Sequence, residues 1–188
     1  MTQATPQPVL AVQALPCVPD ILSVMAEMTG LRFVCVAHMT PTSWTTCAVL
    51  DQIGFGLQPG DPLDVRTTLC NSVRQAGAPI VIDHVSQDDL FNTHPCPRQY
   101  GFESYISIPI YDSQGSFFGT LCGLDPRPIT LSDSKTVKSL ELFAQLISKQ
   151  LEAEKRHADH VSELSNERVT SQLREQFIAV LGHDIRTP

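Results

Sequence analysis

From Ser132 to Gly182 the sequence reads as one helix, and 51 residues of helix would reach on the order of 75 Å. A rod of that length does not fold back into a small core. The 188 residues therefore divide into one domain of ordinary size and an appendage. Apolar residues at Leu140, Ala144, Ile147, Leu151, Ala158 and Val161 follow the 4-3 spacing of a two-helix seam. Glu154 weakens that seam. Past Val161 its expected positions fall on Ser165, Arg168 and Gln172, whereas Leu173, Phe177 and Val180 lie one residue out of register. Such a skip forces paired helices to change their winding locally. The pattern predicts a parallel coiled coil and hence a homodimer.

The helical stretch runs into Phe177-Ile178-Ala179-Val180-Leu181-Gly182-His183-Asp184-Ile185-Arg186-Thr187-Pro188. This run resembles the phosphoacceptor box of sensor histidine kinases and fills every position of it. The chemistry suits these residue types. A neutral imidazole is a nucleophile at physiological pH, and phosphoryl transfer to it depends on alignment and charge compensation. The resemblance implies that His183 accepts the phosphoryl group and that Asp184 acts as its general base. Thr187 lies four residues past His183, on the same helical face. In the family that position holds the water that hydrolyses the phosphorylated partner. Pro188 removes a backbone donor and should bend the helix. The ATP- and magnesium-using catalytic domain of the family is not represented here, so the expectation is a piece that cannot phosphorylate itself. The implied partner is a cognate response regulator.

Ahead of the helix, residues 1–18 are rich in Pro, Gln and Ala and read as a flexible arm. Asp20 can cap a helix running to about Met28 that ends at Gly30. Strands are expected over Leu31–Met39 and Trp44–Leu50, a loop over Gly54–Pro62, and a helix over Leu63–Gln75. A short strand follows at Pro79–Asp83, then a polar irregular stretch from Ser86 to Gly101. Ser104–Tyr111 and Phe117–Leu124 form a hairpin, with Ile106, Ile108 and Ile110 on one face. Ser132 can cap the long helix. This order, with Asp83-to-Phe91, Ser107-Ile108-Pro109-Ile110 and Phe118-Gly119-Thr120-Leu121-Cys122-Gly123-Leu124-Asp125, resembles a GAF domain over residues 18–150. The implied fold is α+β, an antiparallel sheet flanked by helices. The expected divisions are the arm at 1–18, a GAF sensory domain at 19–130, a signalling helix at 131–172 and the start of a dimerisation and phosphoacceptor domain at 173–188.

The resemblance implies a small ligand between the sheet and the loops above it. Candidate pocket residues are Trp44, His84, Phe91, His94, Cys96, Arg98, Tyr100 and Tyr105. A covalent bilin would need Cys96 or Cys70, but the Cys-His dipeptide of bilin-binding relatives is absent, since Pro97 follows Cys96 and Asn71 follows Cys70. His94-x-Cys96 beside His84 is not a usual zinc spacing, and no metal is expected. Arg98 could meet a phosphate, yet the family's cyclic-nucleotide signature is missing. That leaves an uncharged or weakly polar ligand, or a pocket that only transmits dimer geometry. A rival reading makes the whole chain a non-catalytic regulatory module whose His183 is never phosphorylated.

A net charge of -7 without a basic run argues against nucleic acid and anionic membranes. The start, Met1 to Pro8, lacks the pattern of a secretory signal. No stretch approaches the roughly 18 apolar residues of a membrane span. The six scattered cysteines read as reduced, buried thiols, with Cys35, Cys47 and Cys122 as core residues. The expected location is the cytoplasm.

Overall fold

A computed structural model of the chain describes residues 5–184. It divides into two units, Met1–Glu152 and Ala153–Pro188. In the first unit, helices α1 (Gln7–Gln13) and α2 (Cys17–Thr29) precede strands β1 (Phe33–Met39), β2 (Trp44–Asp51) and β3 (Pro62–Leu63). Helix α3 (Leu69–Ala76), strand β4 (Ile80–Ile82) and helix α4 (Pro95–Tyr100) lead to the hairpin of β5 (Ser104–Tyr111) and β6 (Phe117–Asp125). Helix α5 (Ser134–Asp184) begins in this unit and makes up the described part of the second. The six strands form one antiparallel sheet in the order β3-β2-β1-β6-β5-β4.

The period of two along each strand sorts side chains to opposite faces. One face carries Val34, Val36, Ile106, Ile108, Ile110 and Leu121, all buried against α1, α2 and the first turns of α5. The other carries Phe33, Cys35, Tyr105, Cys122 and Leu124 and is covered by α3, α4 and loops. Gly30 closes α2 at φ 77°, the left-handed position that glycine takes without penalty.

Several expectations are corrected. The predicted arm carries α1 and the start of α2: Val9 and Val12 of α1 and Leu15 after it are fully buried on the sheet. Pro8 in the first turn costs α1 nothing, because the first amides of a helix have no intrahelical partner. Leu63–Gln75 is not one helix; β3, a 3-10 turn at Val65–Thr67 and α3 replace it. Within the stretch expected to be irregular, Val85–Gln87 forms a 3-10 turn and Pro95–Tyr100 forms α4. The cap of α5 is Asp133, whose carboxylate accepts from the Thr136 amide at 2.9 Å. Ser132 instead donates to Asp83 at 2.6 Å, and Asp83 also accepts from the amides of Leu131 and Ser132. These bonds tie the entry of α5 to the end of β4.

The seam needs the largest revision. Leu140, Ala144 and Ile147 are buried within this chain, in the core against the sheet, and Leu151 is half-buried beside them. A 4-3 apolar stripe serves a helix on a sheet as well as a helix on a helix. Only Ala158 and Val161 stay exposed, Val161 by 52%. The outward apolar residues of α5 in the first unit are Leu142 and Leu146.

A buried carboxylate fastens the sheet at the end of β6. Asp125 is fully buried and takes a bidentate contact from Arg32, Nε at 2.8 Å and Nη2 at 2.9 Å. Arg127 adds its Nε at 3.0 Å and its amide at 2.9 Å. Burial pushes this carboxyl's pKa up, but the two guanidinium groups and the Arg127 amide outweigh it and hold it well below the ordinary range.

Candidate functional site

A cavity opens on the α3–α4 face of the sheet. Phe33, Cys35, Trp44, Tyr105, Cys122 and Leu124 form its floor from β1, β2, β5 and β6. Leu69 and Cys70 of α3 and Cys96 and Tyr100 of α4 close its sides. Phe55, Leu57 and Leu63 arrive from the segment after β2. Its volume is about 40 Å³. One water-sized sphere needs roughly 10–15 Å³ of such space. The cavity thus admits a molecule of a few heavy atoms, and a tetrapyrrole is far too large for it as it stands.

Aromatic contacts shape the wall. The Phe33 and Phe55 rings lie 4.7 Å apart, Phe102 stacks on Tyr105 at 5.4 Å, and the Tyr100 hydroxyl meets Thr67 Oγ1 at 2.8 Å. Trp44 Nε1 is buried without a hydrogen-bond partner among the described residues. No charged side chain lines the space. Burial pushes the Cys96 thiol up to about 12, so it is protonated at neutral pH and a poor nucleophile. Among the described residues no cluster of His, Cys, Asp and Glu could hold a metal ion.

Of the residues singled out from sequence, the structure brings together Trp44, Cys96, Tyr100 and Tyr105 at the cavity. It leaves out four others. His94 caps α4, its Nδ1 accepting from the Cys96 amide at 3.1 Å, and Phe91 packs beside it with ring centroids 6.4 Å apart. His84 sits 3.6 Å from Glu103, a carboxylate that Ser86 also holds through its amide and hydroxyl. Arg98 points to solvent. Two of these polar side chains, His94 and His84, satisfy a local backbone amide and a local carboxylate instead of a ligand. Arg186, Thr187 and Pro188 lie outside the described residues, as do the side chains of His183 and Asp184, which belong to α5 by backbone.

Sequence reading missed Phe33, Phe55, Leu57 and Phe102. Phe55 had a readable signal, an aromatic between two glycines just past an aspartate. Asp51 Oδ1 accepts from the amides of Ile53 at 3.0 Å and Gly54 at 2.9 Å, and Oδ2 from Gly56 at 2.8 Å. Burial alone would raise the Asp51 pKa; the amides of Gly56, Phe55, Ile53 and Gly54 outweigh it and hold it below the ordinary value. This carboxylate therefore folds the loop that delivers Phe55 and Leu57. Asp51→Ala should lower stability by about 1–3 kcal/mol, the worth of charge-assisted bonds, and expose Trp44 to quenchers. Unchanged melting together with unchanged quenching of this single tryptophan would remove that role from Asp51.

The family model described as GAF domain matches residues 16–151. The blue-light absorbing form of the Thermosynechococcus elongatus PixJ GAF-domain is similar in structure, with a TM-score of 0.66 at 15% identity over 87% of this chain and 98% of that one. The chromophore-binding domain of the R. palustris bacteriophytochrome RpBphP3 gives 0.62 at 13% identity, over 80% and 60% of the two chains. Free methionine-R-sulfoxide reductase from Neisseria meningitidis, in complex with its substrate, gives 0.60 at 14% identity, over 81% and 89%. At these identities the likeness shows the fold alone. No curated protein sequence matches the chain.

Proposed function

The chain belongs to the GAF domain family, and from that premise we propose that it is the sensory and dimerising part of a sensor histidine kinase. In this reading a small, neutral, mainly apolar molecule occupies the cavity and satisfies Trp44 Nε1. Its binding biases phosphorylation of His183 and onward transfer to an aspartate of a response regulator. Asp184 serves as the base and Thr187 positions water for the reverse reaction.

One observation carries the proposal: the run Phe177–Pro188 fills the whole phosphoacceptor pattern, and α5 leads to it from the GAF core. The coupling has a physical route at its start. Tyr105 and Ile106 on adjacent positions of β5 face the cavity and the α5 side respectively. Asp83 at the end of β4, the neighbour of β5, grips the residues just before α5. The exposed Ala158 and Val161 offer the beginnings of a contact with a second copy. A bilin is not favoured, given the cavity's size and the proline after Cys96. Among the described residues no single helix is long and apolar enough to cross a membrane.

Labelled ATP with a catalytic domain of this kinase class, added in trans, is the test. Wild-type protein should acquire acid-labile phosphate, and His183→Gln should acquire none. Label persisting in His183→Gln, or no label on wild type under conditions that serve other acceptor domains, would leave the regulatory-module reading in its place.

A further inference from the structure

Three thiols meet at the cavity, two on its floor and one on the α3 wall. Cys35 of β1 and Cys122 of β6 are directly opposite in the antiparallel ladder, with Sγ atoms 3.3 Å apart. Cys70 of α3 lies beside them, 3.1 Å from the Tyr105 hydroxyl and 3.5 Å from Thr120 Oγ1. All three side chains line the cavity. Cys47, by contrast, sits in the core on the opposite face of the sheet.

The geometry points to a dithiol site at Cys35 and Cys122 that reduces a small hydroperoxide and closes into a cross-strand disulfide. Directly opposed residues of an antiparallel pair have Cα atoms roughly 4.5 or 5.5 Å apart. Both values fall within the roughly 4.4–6.8 Å that a disulfide spans, so the backbone need not move. The sulfurs need only approach from 3.3 Å to the roughly 2.05 Å of the bond. A cavity of about 40 Å³ has room for hydrogen peroxide and excludes bulky organic peroxides.

The steps balance. The sulfur of one cysteine attacks the outer oxygen of ROOH, the O–O bond breaks, and the departing RO⁻ takes the thiol proton to leave as ROH. The resulting sulfenic acid is attacked by the second sulfur; an S–S bond forms, the S–O bond breaks, and the hydroxyl departs with the second thiol proton as water. Two thiols are oxidised by two electrons in total and the peroxide is reduced by two. The hydroxyls of Tyr105 and Thr120 hold Cys70, the thiol next to this pair. Contact with Cys122 and then burial push the Cys70 thiol up. Contact with Cys35 and burial push Cys122 up against the opposing contact with Cys70. Both are protonated at neutral pH, so the reaction is slow and selects for an oxidant able to enter the apolar space.

The experiment uses the full chain carrying Cys17→Ser, which removes the one cysteine that is not buried. After hydrogen peroxide, denaturation and alkylation, two of the remaining thiols should be lost and peptide mapping should join Cys35 to Cys122. Dithiothreitol should restore both thiols. Cumene hydroperoxide should react more slowly. Cys122→Ser should abolish the linked peptide, and the mapping of the parent chain stands even if that variant folds poorly. Cys35 and Cys122 recovered unlinked, or equal rates for the two peroxides, would overturn the assignment.

Discussion

Gly119→Ala is expected to be the most damaging single substitution of one methyl group in this chain. A Cβ at Gly119 would stand 1.9 Å from the Ala37 carbonyl oxygen and 2.9 Å from its carbon, both backbone atoms of the neighbouring β1. Backbone in a central ladder cannot turn aside as a side chain can. Relief requires β1 and β6 to separate by more than an ångström along the middle of the sheet. The cost should exceed about 3 kcal/mol, which in a domain of this size lowers the melting temperature by roughly 10 °C. Gly123→Ala supplies the control. Its Cβ would meet Leu31 Cδ1 at 2.8 Å, Val34 Cγ1 at 3.0 Å and Met25 Cε at 3.1 Å, all ends of side chains that can re-orient. That change should cost only about 1 kcal/mol. Parallel thermal melts decide the matter; equal losses at the two sites would show that the strand approach is not what excludes a side chain at Gly119.

Asp125→Ala should follow at about 3 kcal/mol, through loss of charge-assisted bonds inside the sheet's end. The value is held down because Arg32 and Arg127 are 37% and 58% exposed and regain water when the carboxylate goes. Arg32→Ala should cost less, since Arg127 still neutralises Asp125. The effect also depends on pH in a definite sense. The folded-state pKa of Asp125 lies below the unfolded value of about 3.9, so its contribution is complete above that value and fades as pH falls toward the folded one. Wild type and Asp125→Ala should therefore differ most near neutrality and converge in acid. A stability gap that persists unchanged into strong acid would detach it from this carboxylate.

These two sites also explain part of what could be read without a structure. The run Phe118 to Asp125 marked the family because it packs three demands into one strand: no Cβ at Gly119, little room at Gly123, and a buried anion at Asp125. The hairpin turn, the αL glycine after α2 and the inward isoleucines of β5 were legible because local geometry alone dictates them. Less legible was anything that depended on a partner surface. The stripe at 140, 144, 147 and 151 promised a second helix and found the sheet of its own chain. The Pro-rich start promised an arm, yet two valines at helical spacing were enough to dock it. His94 carried the chemistry of a ligand and serves as a helix cap.

By itself, then, the amino-acid order determined five of the six strands, the glycine that ends α2, and a run at Phe177–Pro188 that resembles the phosphoacceptor box of histidine kinases. Tertiary structure alone decided which apolar stripe meets which surface, that Phe55 folds over Phe33 to wall a cavity, and that Cys35, Cys70 and Cys122 line it together. The reason lies in what periodicity encodes. A repeat of two or of 3.6 says that a face is buried, but the neighbour it is buried against comes from segments tens of residues away, whose approach is set by packing of the whole core.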